Sequence, residues 1–124
     1  MKVLLVEDSK ALVERLTEAI QQISDVRLVG TAETEADALA AVRREPVDAI
    51  VLDLHLRQGT GFGLMRALAA ARLNPRIVVL TNYDLPEYKR AAFALGAAYF
   101  LDKVRDSARL PDVLHEIRDT QSRH

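Results

Sequence analysis

Cysteine is absent from this 124-residue chain. Without thiols there is neither a disulfide framework nor a thiolate metal site, so a reducing, cytoplasmic setting is expected. The chain begins in a predicted strand and shows no signal-peptide pattern. Its apolar runs are only a few residues long, far short of the roughly 20 residues that span a bilayer. No membrane crossing and no membrane partner are expected.

An excess of positive charge is missing as well. Lys and Arg total 17 against 18 Asp and Glu, which gives a formal net charge of −1. Direct DNA or RNA binding is not expected, because it needs a basic surface that neutralises phosphates. Apolar residues make up 49% of the chain, enough for one hydrophobic core at this length. We expect a single domain over residues 1–124, with no output domain.

Four short apolar runs do not alternate with polar residues, which predicts parallel strands covered on both faces. A fifth run, Val26–Val29, contains Arg27 and is expected at a sheet edge. Helical patterns follow each run, the first capped by Ser9 and the second by Thr34. Strict βα alternation predicts a doubly wound, flavodoxin-like α/β domain with five parallel strands and five helices. The four runs are Val3–Val6, Ala49–Leu52, Ile77–Leu80 and Ala98–Leu101.

The limits of the last two helices are marked by residues that start or stop a helix. Asp84 with Pro86 is expected to open the fourth helix, which stops at Gly96. The fifth helix is expected to begin near Asp106 or Ser107.

Polar residues capable of chemistry directly follow four of the predicted strands. Because the carboxyl ends of parallel strands meet at one sheet edge, these residues are expected to share a crevice. Carboxylate oxygens are the ligands that Mg²⁺ prefers, and an aspartate can act as a nucleophile on phosphorus. The set therefore predicts a magnesium-and-phosphate site, with the lysine balancing phosphate charge and the threonine hydroxyl donating to a phosphate oxygen. The residues are Glu7, Asp8, Asp53, Thr81, Asp102 and Lys103.

Each of these residues also has an ordinary structural interpretation. Asp8 can simply cap the first helix, and Asp53 can head a turn. Thr81 is a common strand residue, and Lys103 alone is typical of a protein surface. The functional hypothesis depends on the conjunction of all four strand ends.

At this point the motifs resemble those of a known family. The chain resembles, over its full length, a receiver domain of two-component response regulators, in a stand-alone form. The resemblance implies a strand order of 2-1-3-4-5. The motifs are Val6–Asp8, Leu52–Leu56, Gly61 eight residues beyond Asp53, Leu80–Thr81, and Gly96–Ala97 with Lys103.

The resemblance implies a role for each strand end. Asp53 would be the phosphoacceptor, with the cofactor Mg²⁺ held by Glu7, Asp8, Asp53 and the backbone carbonyl of His55. Two further strand-end residues, Thr81 and Lys103, would contact the phosphoryl group.

A switch and a partner surface follow from the same resemblance. Tyr99 is expected to be the switch aromatic, whose ring fills the space that the Thr81 hydroxyl leaves when it moves toward the phosphate. The partner surface would then be formed by the fourth helix, the fifth strand and the fifth helix. Its charged residues include Lys89, Arg90 and Arg105.

The sequence departs from the family's pattern near Lys103 and Thr81. Val104 stands where many receivers have a cis-proline, and a cis bond at a non-proline residue costs about 2.5–4 kcal/mol, so a trans bond is expected. Asn82 stands where a smaller residue is usual and is expected to narrow access to Asp53.

Two rings are expected to affect how long a phosphoryl group survives. His55 and Tyr83 lie two residues beyond Asp53 and Thr81. In the resembled fold they flank the approach of water, so we expect them to shield an aspartyl phosphate, although His55 can instead act as a general base. The other two histidines, His115 and His124, are expected at the surface.

The expected function is a phosphorylation-driven binding switch, an enzyme only toward its own phosphorylation and dephosphorylation. Its partners would be a sensor histidine kinase or a histidine phosphotransfer protein, and an unidentified downstream protein; a homodimer is a further option. Two alternatives stay open. One is an aspartate-based Mg²⁺-dependent phosphohydrolase, although His55 stands where such enzymes have a second aspartate. The other is a pseudo-receiver that serves only for docking or dimerisation.

Overall fold

The computed structural model describes residues Met1–Ser122, and His124 lies outside them. Within these residues five strands and five α-helices alternate along the chain. The strands are β1 Lys2–Val6, β2 Arg27–Ala32, β3 Ala49–Leu52, β4 Arg76–Thr81 and β5 Tyr99–Asp102. The helices are α1 Lys10–Gln21, α2 Glu35–Arg44, α3 Gly61–Ala70, α4 Pro86–Ala94 and α5 Leu110–Ser122.

The strands form one parallel sheet in the order β2-β1-β3-β4-β5. This confirms the predicted fold class, strand order and edge position of β2. β2 is longer than its apolar run because Gly30 and Thr31 continue the pairing with Leu4 and Leu5 of β1. The order of strands reverses between β1 and β3, which is where doubly wound sheets open a crevice at their carboxyl edge.

Helices cover both faces of the sheet. Successive strand residues point to opposite faces, so Leu5 packs in one core cluster and Leu4 in the other. The α1/α5 face combines strand residues with Leu16 of α1 and Leu114 of α5. The α2–α4 face combines them with residues of α2, α3 and α4, including Leu64. Burial on two sides explains the unbroken apolar runs.

The predicted caps of α1 and α2 are confirmed, and α4 begins at Pro86 as predicted. The α-helix α5 begins at Leu110, three residues after the predicted start at Ser107. The side chains of Ser9 and Thr34 accept hydrogen bonds from the amides three residues further on, at 3.4 and 3.1 Å. A 3₁₀ turn over Ser107–Arg109 leads into α5. At α4 the capping position is Leu85, without a side-chain cap, and Asp84 instead accepts a hydrogen bond from Arg105.

Two other expectations concern backbone and membrane. All peptide bonds between residues 1 and 122 are trans, including the bond from Lys103 to Val104. Among the same residues, no helix has both the length and the apolar content to cross a bilayer.

Candidate functional site

The strand ends bring the predicted residues to one edge of the sheet. Val6 pairs with Leu52, so the residues that follow β1 and β3 lie side by side. Thr81 pairs with Asp102, and the amide of Lys103 donates to the carbonyl of Thr81 at 3.0 Å. The parallel register therefore creates the shared crevice that the sequence predicted.

Three carboxylates form the centre of this crevice. One oxygen from each of Glu7, Asp8 and Asp53 lies within 4.8 Å of the others. Glu7 and Asp53 are 2% and 5% exposed, whereas Asp8 is open to solvent. An all-oxygen set with one open side fits a hard cation such as Mg²⁺, which keeps several of its waters.

Lys103 binds two of the three carboxylates. Its ammonium nitrogen lies 2.7 Å from Glu7 Oε1 and 2.8 Å from Asp53 Oδ2. The remaining oxygens accept from backbone amides: Glu7 Oε2 from Ser9 at 2.9 Å, and Asp53 Oδ1 from His55 at 3.4 Å. Because all of these groups are held at the ends of strands, their positions are fixed before any ligand arrives.

Burial and ion pairing shift the pKa values of Glu7 and Lys103. Burial raises the pKa of Glu7 above its ordinary value of 4.5, and the hydrogen bonds from Lys103 and Ser9 only partly oppose the shift. For Lys103, burial lowers the pKa, but hydrogen bonds and charges of Asp53 and Glu7 outweigh it and leave the pKa above 10.5. The lysine is therefore a permanent cation in the crevice.

The Thr81 side chain is fully buried at the carboxyl edge of the sheet. Its Oγ1 accepts a hydrogen bond from the amide of Tyr83 at 3.3 Å. A hydroxyl oxygen that accepts still carries one O–H donor. Thr81 therefore has a hydroxyl donor that the amide of Tyr83 does not use.

Comparison with known proteins identifies the family of this fold. The model of the response regulator receiver domain matches residues 3–115. The chain belongs to this family. The match does not favour the phosphohydrolase alternative, since the whole matched region is a receiver domain.

Several relatives share this domain. The chain is 32% identical to the transcriptional regulatory protein BtsR of Escherichia coli K12 over 123 residues, 99% of this chain and 50% of BtsR. It is 28% identical to the sensory transduction protein LytT of Bacillus anthracis over 118 residues, 95% of this chain and 47% of LytT. The chain thus spans about half the length of these curated relatives. The response regulatory domain of mrkE from Klebsiella pneumoniae superposes with a TM-score of 0.89 at 27% identity, covering 100% of both chains.

The switch aromatic predicted for this receiver needs correction. Tyr99 packs in the cluster of the α1/α5 face, and its pKa lies above 10.0 because of burial and then a hydrogen bond with Glu116 of α5. Thr81 lies on the other face, because Leu80 points to α1/α5 and neighbours alternate. Phe100 is on the same face as Thr81, beneath α4. Tyr99 therefore lies on the face of the sheet opposite Thr81, whereas Phe100 shares the face of Thr81.

The alternation of side chains along β5 already indicates the face on which Phe100 lies. The signal was present: Phe100 lies two residues before Asp102, which pairs with Thr81, so the side chains of all three share a face. The Phe100 ring lies 6.4 Å from that of Phe93, and the ammonium of Lys89 lies 5.9 Å above it.

The rings of His55 and Tyr83 stack on each other. Their centroids are 3.8 Å apart with an interplanar angle of 34°, and both side chains remain exposed. Asn82 is exposed too, and it lines an open groove together with Ser9, Lys103 and Val104. Asn82 therefore borders the groove that contains Lys103.

The charged residues of the predicted partner surface are not equally available. Arg105 donates to Asp84 at 2.8 Å and to Asp106 at 3.4 Å, which ties the loop after β5 to the loop after β4. Lys89 and Arg90 are both exposed, and the ammonium of Lys89 lies over the Phe100 ring. Exposed ion pairs contribute little to stability, so a partner can exchange them readily.

Gly61 allows the chain to pass close to the phosphoacceptor strand end. A Cβ atom on Gly61 would lie 2.6 Å from the carbonyl oxygen of Asp53 and 3.0 Å from Cα of Leu54. We expect Gly61→Ala to lower the free energy of unfolding by about 1–3 kcal/mol, because backbone must shift to admit the methyl group. Urea unfolding tests this.

The matched control for Gly61→Ala is Gly30→Ala. A Cβ on Gly30 would meet only the Leu4 Cδ1 atom, at an ordinary 3.8 Å. We expect Gly30→Ala to be close to wild type in stability. Equal losses in the two variants would contradict the steric argument.

Proposed function

We propose that this receiver domain accepts a phosphoryl group on Asp53 and acts as a phosphorylation-driven binding switch. The observation that carries the proposal is the Asp53 carboxylate itself, 5% exposed, grouped with two other carboxylates and bound by Lys103 at 2.8 Å. An aspartate without a chemical role would not require two neighbouring carboxylates and a lysine. Paired carboxylates with a fixed cation suit a nucleophile whose product carries additional negative charge.

The donor set fits Mg²⁺ as the cofactor. Glu7, Asp8 and Asp53 would hold it with carboxylate oxygens, and the carbonyl of His55 would add a further ligand. When bound, Mg²⁺ supplies positive charge that offsets the charge of the phosphoryl oxygens. The two acids beside Asp53 would otherwise repel an anionic donor.

The residues of the chain divide the phosphoryl transfer among themselves. A carboxylate oxygen of Asp53 attacks phosphorus, the new O–P bond forms, and the bond from phosphorus to the donor's imidazole nitrogen or acyl oxygen breaks with departure of the donor group. Lys103 already contacts Asp53 and would shift to a phosphoryl oxygen. Thr81 would donate its hydroxyl hydrogen to another. Positioning and charge balance are thus the protein's main contributions.

The switch then uses the α2–α4 face of the sheet. When the Thr81 hydroxyl moves toward the phosphoryl group, it vacates space on the side where Phe100 lies. The Phe100 ring would move into this space and alter the surface under Phe93 and Lys89 of α4. A buried two-state element biased by new charge is a known switch design.

The proposed partners follow from this chemistry. A sensor histidine kinase or a histidine phosphotransfer protein would supply the phosphoryl group, and a downstream protein would bind the α4–β5–α5 surface. We propose a cytoplasmic domain that does not itself contact nucleic acid, in keeping with the net charge of −1. The domain would act as a catalyst only on its own phosphoryl group, and a second copy of the domain is one possible partner at the same surface.

Amide NMR with beryllofluoride, a phosphoryl mimic, tests the proposed switch. We expect shifts that begin at Asp53 and spread through Thr81 and Phe100 to α4 and α5, because the ring lies between the site and that surface. In Phe100→Leu the spread should weaken, whereas in Tyr99→Phe it should persist. Shifts confined to the metal site in the wild-type protein would favour the pseudo-receiver instead.

The lifetime of the phosphoryl state should depend on the stacked rings. We expect Asp53 phosphate to decay several-fold faster in His55→Ala and in Tyr83→Ala, because each change opens a path for water. The measurement is the loss of phosphorylated protein after the donor is removed. Leu85→Ala, which trims an exposed apolar residue outside the stack, is the control. Slower decay in His55→Ala would show that the histidine promotes hydrolysis as a general base.

A further inference from the structure

The stacked rings of His55 and Tyr83 belong to a larger aromatic group. Tyr88, in the first turns of α4, lies 6.1 Å from His55 at 60° and 6.0 Å from Tyr83 at 72°. It also lies 6.0 Å from Phe62 of α3. These are distances and angles of favourable edge-to-face contacts. Tyr88 is the member that touches all three other rings.

The two outer rings need such support. The amide of His55 is anchored on Asp53 and the amide of Tyr83 on Thr81, so the backbone of both residues is fixed at the site. Their side chains, however, are exposed and extend beyond these anchors. Exposed side chains change rotamer readily unless a neighbour restricts them. Tyr88 is half-buried against the α2–α4 face and provides that neighbour.

We propose that Tyr88 is a positioning residue that holds the His55–Tyr83 stack in place, so that the position of α4 controls how fast water reaches phosphorylated Asp53. The inference rests on the proposed function of Asp53. Its consequence is regulatory: a partner protein that displaces the first turn of α4 would loosen the stack and shorten the signal. A partner that binds α4 without moving this turn would leave the lifetime unchanged.

Phosphorylation itself would also act on this group. The Tyr83 amide is bonded to the Thr81 hydroxyl, and that hydroxyl must reorient when it donates to a phosphoryl oxygen. A movement of the hydroxyl would therefore act on the backbone of Tyr83, whose ring contacts Tyr88. The aromatic group thus connects the chemical site to α4 by a route separate from Phe100, which contacts Phe93 and Lys89 further along the same helix.

The test compares Tyr88→Leu, Tyr88→Phe and Ala94→Ser in the full chain. We measure the decay of phosphorylated protein after removal of acetyl phosphate, and the His55 ring-proton shifts of the unphosphorylated protein by NMR. Tyr88→Leu should decay several-fold faster and should move the His55 signals toward those of a free imidazole, because the ring currents of its neighbours are lost. Tyr88→Phe keeps the ring and should restore both. Ala94→Ser, at an exposed position on the same helix but outside the group, should leave both unchanged.

Combining substitutions separates a positioning role of Tyr88 from general destabilisation of the fold. If Tyr88 acts through the stack, adding Tyr88→Leu to His55→Ala with Tyr83→Ala should produce no further acceleration. Should Tyr88→Leu fail to fold, Tyr88→Met takes its place, because the unbranched Met side chain also lacks a ring and adapts more readily to irregular space. Two results would overturn this inference alone, provided that the wild-type protein is phosphorylated. One is unchanged decay in Tyr88→Leu. The other is that Tyr88→Leu accelerates decay as much in the variant lacking the His55 and Tyr83 rings as it does in the wild-type protein. Failure of the wild-type protein to be phosphorylated would overturn the proposed function and this inference with it.

Discussion

Replacing Lys103 with Met lowers the free energy of unfolding by about 3–5 kcal/mol in the presence of a chelator, the range for a buried ion pair that loses one partner. The reason is local. Lys103 contacts both Glu7 and Asp53, whose side chains are only 2% and 6% exposed. Without the ammonium group, two buried carboxylates face each other with no cation. Met preserves most of the side-chain volume, so the loss reports the missing charge.

The stability difference between Lys103→Met and wild type should shrink on acidification. In wild type the folded pKa of Glu7 already lies above 4.5 because of burial. Removing the lysine raises it further. A carboxyl group that binds its proton more tightly in the folded state lowers stability as pH rises through the interval from the unfolded to the folded pKa. The destabilisation caused by Lys103→Met is therefore largest at neutral pH and decreases as the pH falls toward the pKa of Glu7 in the unfolded chain.

Urea unfolding at about pH 7 and pH 5 measures this difference. Lys10→Met is the matched control, because Lys10 is exposed at the start of α1. We expect a change of only a few tenths of a kcal/mol for Lys10→Met at both pH values. Two results would contradict the burial of an ion-paired cluster. One is that Lys103→Met lowers the free energy of unfolding only slightly at neutral pH. The other is that this decrease becomes larger on acidification.

The sequence allowed the sheet and its carboxyl edge to be predicted because two simple physical rules apply there. Strands covered on both faces have unbroken apolar runs, and parallel strands place their next residues at one edge. Asp53, Thr81 and Lys103 were therefore assigned to one crevice from local patterns, and the structure places them there. Helix caps such as Ser9 were equally local, since the side chain bonds to an amide three residues away.

The incorrect predictions from the sequence concern positions where a shift of one residue, or a single tertiary contact, decides the local structure. Tyr99 and Phe100 are adjacent aromatics, and a shift of one residue in a strand moves the side chain to the other face. Asp84 lies one residue before the capping position of α4, and its carboxylate accepts a hydrogen bond from Arg105 of another loop. Tyr88 gave no local signal at all, because its ring contacts come from three separate segments of the chain.

Asn at position 53 should abolish phosphorylation altogether. The amide has nearly the shape of the carboxylate, but it lacks the negative charge and the nucleophilic oxygen that attack phosphorus. Nearby acids do not replace it: Glu7 is engaged by Lys103 and the Ser9 amide, and Asp8 is exposed at the open side of the cluster. Asp37→Asn, an exposed change on α2, keeps the whole site and should be labelled like wild type.

The most direct test of the central claim is intact-mass measurement after incubation with acetyl phosphate and Mg²⁺. We predict one added phosphoryl group on the wild-type protein and on Asp37→Asn, none on Asp53→Asn, and none on wild type when Mg²⁺ is chelated. Undiminished labelling of Asp53→Asn would contradict the account, as would a wild-type protein that gains no phosphoryl group under conditions that label another receiver domain.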